Sequence, residues 1–241
     1  MKLLRLSIIF YISLLFLFVA GCRESSAPEI VISPEEIIQN TAVQMNGLAG
    51  FHFFIERDGA PAYVDPPDNL FVFRRAEGDF TAPERAQAIV RIIGPGLITD
   101  VQVVTIAEVQ WQTNPLTGEW EVLPPNWGFD PTVLFDAEVG LQSILQNDMS
   151  DVKLEGVEQL DGEGNGRFQK ISANIDGQRL FTMSNGLIGP TQVQAELWID
   201  TDTFNLHRVV IVEPEEEEPS VWEVKFSQFN QAIPISSPIE E

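Results

Sequence analysis

Residues 192–229 read QVQAELWIDTDTFNLHRVVIVEPEEEEPSVWEVKFSQF, and this stretch decides the fold. Apolar residues alternate with polar ones in three runs, residues 192–200, 206–213 and 221–229. Alternation with a period of two is typical of strands that bury one face. A short turn, Asp200-Thr201-Asp202-Thr203, separates the first two runs, and an acidic segment at 213–219 separates the second and third. Short connections between consecutive strands predict an antiparallel meander.

The same alternation runs through the rest of the chain. It predicts further strands at residues 51–56, 70–80, 86–93, 97–110, 152–160 and 168–175, and a hairpin over 111–122. Helix signals interrupt these runs of adjacent strands instead of alternating with single strands. Because helices and strands are segregated in this way, the pattern predicts an α+β fold with a large antiparallel sheet.

Three helical segments have recognisable starts. Ser33 can cap a helix that continues through Pro34 and Glu36 to about residue 46. Asp130 and Pro131 begin a second helical block, which restarts near residues 136–137. A third, short helix is expected over 178–184.

The first 22 residues indicate how the protein is held in the cell. Lys2 and Arg5 precede an apolar run that is short for a membrane span and ends in small residues before Cys22. Cys22 is the only cysteine in the chain, and it stands where a bacterial lipobox places the residue that receives a diacylglyceryl group. We expect lipidation of Cys22; an ordinary signal peptide or an uncleaved anchor with an incidental cysteine is the alternative.

The charge excludes some partners. Without residues 1–21, 12 Lys and Arg face 36 Asp and Glu, a formal net charge of −24. Nucleic acid and anionic headgroups would be repelled by such a surface, so we expect no nucleic-acid partner. Attachment to a membrane must then come from the acyl chains on Cys22.

Motifs for catalysis or metal binding are not apparent in the sequence. His52 and His207 lie on different predicted strands, without the ligand spacing of a zinc site or the nucleophile turn of a triad. The Asp200–Asp202 turn lacks the rest of a calcium loop, and residues 215–218 are interpreted as a solvated acidic loop. We therefore expect no metal, no cofactor and no enzymatic activity, although a carboxylate pair for hydrolysis would escape this reasoning.

Apolar residues are in surplus. The chain has 16 Phe and 5 Trp, and some strands are apolar on both faces, with Val101 and Val103 opposite Val104 and Ile106. A sheet covered by a few short helices does not need two apolar faces. The pattern favours either a curved sheet lining an apolar cavity, or an ordinary thick core with strands covered by loops.

Four stretches, taken together and in this order, resemble the LppX/LprA/LprF/LprG lipoprotein family. They are residues 75–80 (RAEGDF) with 83–85, residues 113–120 (TNPLTGEW), residues 130–136 (DPTVLFD) with 140–141, and residues 195–203 (AELWIDTDT). The resemblance implies an incomplete antiparallel β-barrel wrapped over helices, similar to the LolA/LolB lipoprotein carriers. Known members enclose a hydrophobic cavity and carry multi-acylated lipids or glycolipids across the cell envelope. The family has no catalytic motif to transfer, and the headgroup does not transfer either.

The fold that we expect is therefore α+β, with a large curved antiparallel sheet, an incomplete β-barrel, and a few helices covering its concave face over an apolar cavity. The expected organisation is a lipoprotein signal peptide at 1–21, a lipidated N-terminus and tether at 22–33, a lipid-binding domain at 34–235 and a frayed C-terminus at 236–241.

The expected function is that of a membrane-anchored bacterial lipoprotein, held by Cys22 at the extracytoplasmic face of the cytoplasmic membrane. It would bind an acylated lipid or glycolipid and carry it within the cell envelope, with a membrane lipid exporter as a candidate partner. The alternative is a non-enzymatic envelope adaptor with a filled core that binds a protein. Alternation and helical spacing select the candidate cavity residues, which are Phe53, Ile55, Val90, Ile92, Val101, Val103, Leu141, Ile144, Leu145, Val193, Ala195, Leu197 and Ile199.

Overall fold

The computed structural model describes residues 32–64, 68–124, 130–160, 166–214 and 218–239. The signal peptide, Cys22 and most of the expected tether lie outside these residues, as do most of the Gly-rich turn at 161–166 and the centre of the acidic segment at 215–217. No helix among the described residues is long and apolar enough to cross a bilayer.

Eleven strands form one antiparallel sheet. They are β1 (Gly50–Asp58), β2 (Val72–Thr81), β3 (Arg85–Gly94), β4 (Leu97–Ile106), β5 (Val109–Thr113), β6 (Trp120–Val122), β7 (Met149–Glu158), β8 (Phe168–Ile175), β9 (Val193–Asp200), β10 (Leu206–Glu213) and β11 (Ser220–Ser227). The order across the sheet is β6-β5-β4-β3-β2-β1-β11-β10-β9-β8-β7, so β6 and β7 are edges and the sheet is not closed into a barrel.

Two meanders make up this sheet. Strands β1 to β6 form the first and β7 to β11 the second, and each strand pairs with its neighbour in sequence. The two meanders meet where β1 pairs with β11, with Phe53 opposite Phe226 and Ile55 opposite Val224. The meander predicted from residues 192–229 is confirmed as β9, β10 and β11.

One predicted strand is in fact two. The sequence predicts a single strand over 97–110, but β4 ends at Ile106 and β5 begins at Val109. Ala107 turns the chain with a φ of 51°. Two-residue hairpin turns usually have Gly, Asn or Asp at positions of positive φ. Ala107 and Glu108 are not residues of this kind, so the sequence pattern does not indicate the turn.

The helices are short, and they interrupt the strands as predicted. Helix α1 (Pro34–Asn46) begins at the Ser33 cap, whose Oγ accepts from the Glu36 amide at 3.1 Å. The block expected after Asp130 is a 3-10 helix (Pro131–Phe135), and α2 (Leu141–Asn147) begins later than predicted, after Gly140. Helix α3 (Gly177–Met183) is capped by Asp176.

The core lies on one face of the sheet, beneath the helices. Along β1, Phe51, Phe53 and Ile55 are buried, whereas the residues between them are half-buried. The opposite face is only partly open to solvent: Ile89 on this face is 52% exposed, whereas Trp198 is buried. On β3, Val90 and Ile92 are buried on the packed face opposite the exposed Ile89, whereas on β4 Val104 is buried although it lies on the face opposite Val101 and Val103.

Candidate functional site

An apolar cavity of about 90 Å³ lies between the inner face of the sheet and the helices. Six adjacent strands line it, from β2 through β1, β11, β10 and β9 to β8. Neighbouring strands are ~4.8 Å apart, so six of them would span roughly 24 Å if the sheet were flat. A sheet that contributes to one small cavity from all six strands must therefore curve, with its concave side toward the cavity.

The lining consists of apolar side chains with one exception. It comprises Ile55, Phe73, Leu134, Phe135, Leu141, Ile144, Leu145, Ile175, Leu180, Met183, Ser184, Leu187, Ile188, Leu197, Val209, Ile211, Trp222, Val224 and Phe226. The exception is Ser184, whose Oγ accepts from the amide of Ile188 at 2.9 Å. The cavity offers dispersion and apolar burial to a ligand, which suits hydrocarbon.

Five candidates selected from the sequence line this cavity: Ile55, Leu141, Ile144, Leu145 and Leu197. The other eight do not, although all are buried on the same side of the sheet; they are Phe53, Val90, Ile92, Val101, Val103, Val193, Ala195 and Ile199. Period-two alternation assigns a residue to a face but not to a position along the strand. These eight residues are buried elsewhere in the core.

The sequence reasoning missed other lining residues. Val209, Ile211, Trp222 and Phe226 lie on β10 and β11 with the same alternation that selected Leu197, so the pattern could have found them. Leu187 and Ile188 follow α3 in a segment without periodicity, and no sequence signal marks them.

Phe135 lines the cavity and packs against other phenylalanine rings. Its ring centroid lies 4.7 Å from that of Phe51, 5.2 Å from Phe53 and 5.1 Å from Phe80. The Phe226 ring lies 6.2 Å away. These distances are typical of favourable aromatic pairs. The 3-10 helix is thus held to the sheet by one ring inserted into an aromatic cluster.

A buried carboxylate, that of Glu213, bonds to the lining residue Trp222. Glu213 accepts from the Trp222 Nε1 at 2.8 Å and from the amide of Gly189 at 2.6 Å. The Gly189 contact holds the segment that carries Leu187 and Ile188 over the cavity. Trp222 also stacks on Phe73, with ring centroids 5.4 Å apart, and the Arg57 guanidinium lies 5.5 Å from its ring. We call this Glu213–Trp222–Gly189 arrangement the clamp.

On the outer face of the sheet, ion pairs join β8 with β9 and β10 with β11. Trp198 is an aromatic residue on this face, and it is buried between Lys170 at 4.9 Å and Arg208 at 4.6 Å. Its Nε1 donates to Glu158 at 3.0 Å. The two cations cover the indole and keep it from forming an exposed apolar patch.

The two histidines lie on different strands. The His52 Nδ1 is 2.9 Å from Asp79 Oδ1, and its Nε2 is 3.5 Å from Glu77. The His207 ring packs 4.8 Å from that of Phe168 and 4.9 Å from that of Phe229. Within the described ranges, His, Cys, Asp and Glu do not cluster in a group of three or more that could hold a metal ion.

Comparison with known proteins gives the family. The profile of the LppX_LprAFG lipoprotein family matches residues 33–235. The crystal structure of LprF from Mycobacterium bovis superposes with a TM-score of 0.64 at 18% sequence identity, covering 86% of this chain and 97% of that one. Lipoprotein LppX from Mycobacterium tuberculosis superposes with a TM-score of 0.58 at 17% identity, covering 84% and 98%.

A third solved structure superposes poorly on this chain. A LolA superfamily protein from Nitrosomonas europaea gives a TM-score of 0.29 at 10% identity, covering 85% of this chain and 96% of that one, which is too low to support a conclusion. Among curated protein sequences, none matches this chain. The family match spans most of the chain, and the two mycobacterial structures share its fold. This chain belongs to the LppX_LprAFG lipoprotein family.

Proposed function

We propose that this protein is a non-enzymatic envelope lipoprotein that binds the acyl tails of a lipid or glycolipid in the apolar cavity and carries it within the cell envelope. The observation that carries the proposal is the lining itself, in which a single side chain, Ser184, is polar. Membership of a lipoprotein family supports the location in the envelope. Each tail CH₂ transferred from water to such a lining contributes about 0.8 kcal/mol.

The size of the cavity adds a condition. An engineered cavity of roughly 150 Å³ holds one benzene, and the cavity here is about 90 Å³. A long acyl chain therefore requires the walls to move apart. The three short segments that roof the cavity have five, seven and seven residues. Helices this short depend on packing for their stability, so they can shift without disrupting the sheet.

The anchor completes the proposal. A diacylglyceryl group on Cys22 would hold the mature chain at the extracytoplasmic face of the cytoplasmic membrane, with residues 22–33 as the tether. A net charge of −22 for the whole chain does not favour adsorption to anionic lipid, so attachment would depend on the acyl chains. A membrane lipid exporter is the partner that we propose for such a carrier.

The small volume also favours a second candidate, an adaptor lipoprotein whose core is filled and which binds a basic protein through its acidic surface. Electrostatic complementarity of this kind accelerates association at low salt. The adaptor would carry no lipid and would lose its partner as salt rises.

The test is native mass spectrometry of the full chain carrying Cys22→Ser, which leaves no acyl group on residue 22 to be mistaken for ligand. We expect a stoichiometric acylated lipid in protein from a lipid-containing host, or its uptake on incubation. Leu197→Trp, which fills the cavity from β9, should prevent loading. Ile89→Trp, on the exposed face, is the matched control and should load normally. A clean lipid-free mass with no uptake would contradict the carrier and favour the adaptor.

A further inference from the structure

A second concavity lies beside the cavity, on the outer side of the helices. It is a groove of about 340 Å³ between the 3-10 helix, α3 and the residue that precedes β7. It is lined by three apolar residues, Val133, Val139 and Met183, and by five polar residues, Asp148, Asp176, Gln178, Arg179 and Thr182, which we call its polar rim. We call it the vestibule.

Met183 separates the vestibule from the cavity. Of the described residues, it is the one that lines both. The 3-10 helix divides the two spaces in the same way, because Val133 faces the vestibule and the next residue, Leu134, faces the cavity. A methionine side chain is unbranched and adopts several conformations easily, so Met183 can move.

The other walls are held more firmly. The sheet forms one side through continuous strand pairing. Phe135 is inserted among four aromatic rings, and the clamp holds the Gly189 amide by one hydrogen bond to the Glu213 carboxylate, which also accepts from Trp222. Movement of Met183 therefore opens the cavity with less loss of packing than movement of Phe135 or of the clamp.

The rim of the vestibule determines which headgroup can stay there. Arg179 Nε lies 3.1 Å from Asp148 Oδ2, so its charge is already balanced by a carboxylate. Asp176 adds a second carboxylate, and its Oδ1 accepts from the Gln178 amide at 2.9 Å. The rim thus has a net negative charge, which repels a phosphate. Its carboxylate, amide and hydroxyl groups can instead exchange hydrogen bonds with hydroxyls.

We propose that acyl tails enter the cavity from the vestibule, past Met183, and that the vestibule retains an uncharged, hydroxyl-bearing headgroup. This inference rests on the proposed function, since it assumes that the cavity takes up tails. It adds the route of entry and the charge of the headgroup.

The route is tested with Met183→Trp in the full chain carrying Cys22→Ser. The probe is pyrene-labelled diacylglycerol, presented in phosphatidylcholine vesicles. Because a larger side chain would block the shared wall, we expect uptake to slow by about tenfold or more. Phe181→Trp is the matched control, since Phe181 lies on the same helix, is 39% exposed and lines neither space. Equal thermal unfolding of the two variants excludes misfolding as the cause.

The outcomes separate the two proposals. If Met183→Trp loads as fast as Phe181→Trp while Leu197→Trp does not load, the route is wrong and the carrier function stands. If the chain without these tryptophan changes takes up no probe, the function itself fails. A thiol readout gives a second check: in the Cys22→Ser background, Met183→Cys supplies the sole thiol, and bound lipid should protect it from maleimide. Unchanged reactivity on loading would overturn the route.

The headgroup is tested with pyrene-labelled phosphatidylglycerol beside the diacylglycerol. Repulsion by the rim predicts weaker binding of the anionic lipid by about fivefold. Asp176→Asn removes one charge but keeps a side chain that caps helices well. This substitution should reduce the difference in binding affinity between phosphatidylglycerol and diacylglycerol. Equal binding of both lipids by the Asp176-containing chain would overturn this part of the proposal.

Discussion

Truncating Phe135 should destabilise the protein and enlarge its cavity at the same time. The ring is 6% exposed and lies within 6.2 Å, centroid to centroid, of four other phenylalanine rings. Loss of its burial accounts for about 1.5–3 kcal/mol, and the aromatic pairs for about 0.5–1.5 kcal/mol each beyond the buried area. The side chain lines the cavity, so its removal enlarges that space. We expect Phe135→Ala to lower the free energy of unfolding by about 4 kcal/mol, within the usual range for such changes.

The assay is urea unfolding followed by tryptophan fluorescence, extrapolated linearly to water. Phe181→Ala, an exposed position on α3, is the control and should lose about 1 kcal/mol or less. A saturating acylated ligand should fill the enlarged cavity and reduce the difference between Phe135→Ala and the natural chain, because ligand binds the folded state. A loss below about 1 kcal/mol for Phe135→Ala would refute the aromatic cluster as the element that holds the 3-10 helix.

Three further predictions concern polar contacts. Glu213→Gln should lower the free energy of unfolding by about 1–2 kcal/mol and speed hydrogen exchange at the Gly189 amide, since a neutral acceptor binds donors more weakly; unchanged exchange would contradict the clamp. Burial would raise the pKa of Asp200, but hydrogen bonds from the turn outweigh it and hold that pKa below its usual value. The stabilisation that the ionised Asp200 gives the folded state is therefore present above the pKa of this group in the unfolded chain, and it is lost as pH falls through the folded pKa. The free energy of unfolding, measured with urea, should therefore fall less toward acid pH in Asp200→Asn than in the natural chain. Arg208→Ala should lower the melting temperature by uncovering Trp198, with a loss of about 1 kcal/mol, and high salt should not abolish the difference if the guanidinium packs on the ring.

The sequence predicted the strands where their turns carry chemical signals. Asp200 marks the β9–β10 turn because its Oδ1 accepts from the amides of Asp202 at 3.0 Å and Thr203 at 2.8 Å. Ser33 marks the start of α1 in the same way. Ala107 makes an equally tight turn without such a side chain, and there the prediction was wrong.

The sequence predicted which face of the sheet each candidate residue lies on, but not whether that residue lines the cavity. Leu197 and Ile199 are two positions apart on β9 and point to the same side, yet the first lines the cavity and the second is packed in the core. The two residues differ in what covers them on the helical side of the sheet, and this depends on the positions of Phe135 and α2. The vestibule was not predicted at all, because it joins Asp148, Asp176 and Val133 from three separate segments.

The pairing of β1 with β11 also sets the order in which the protein can be assembled. His52 pairs with Ser227, so β1 pairs with a strand made 175 residues later, and contacts this distant form slowly. Until then its buried phenylalanines lie on an open edge that invites aggregation. The cavity takes Ile55 and Phe73 from the first meander and Val209 and Trp222 from the second. A nascent or half-folded chain therefore lacks the complete cavity, which forms only after the last strand has joined the two halves.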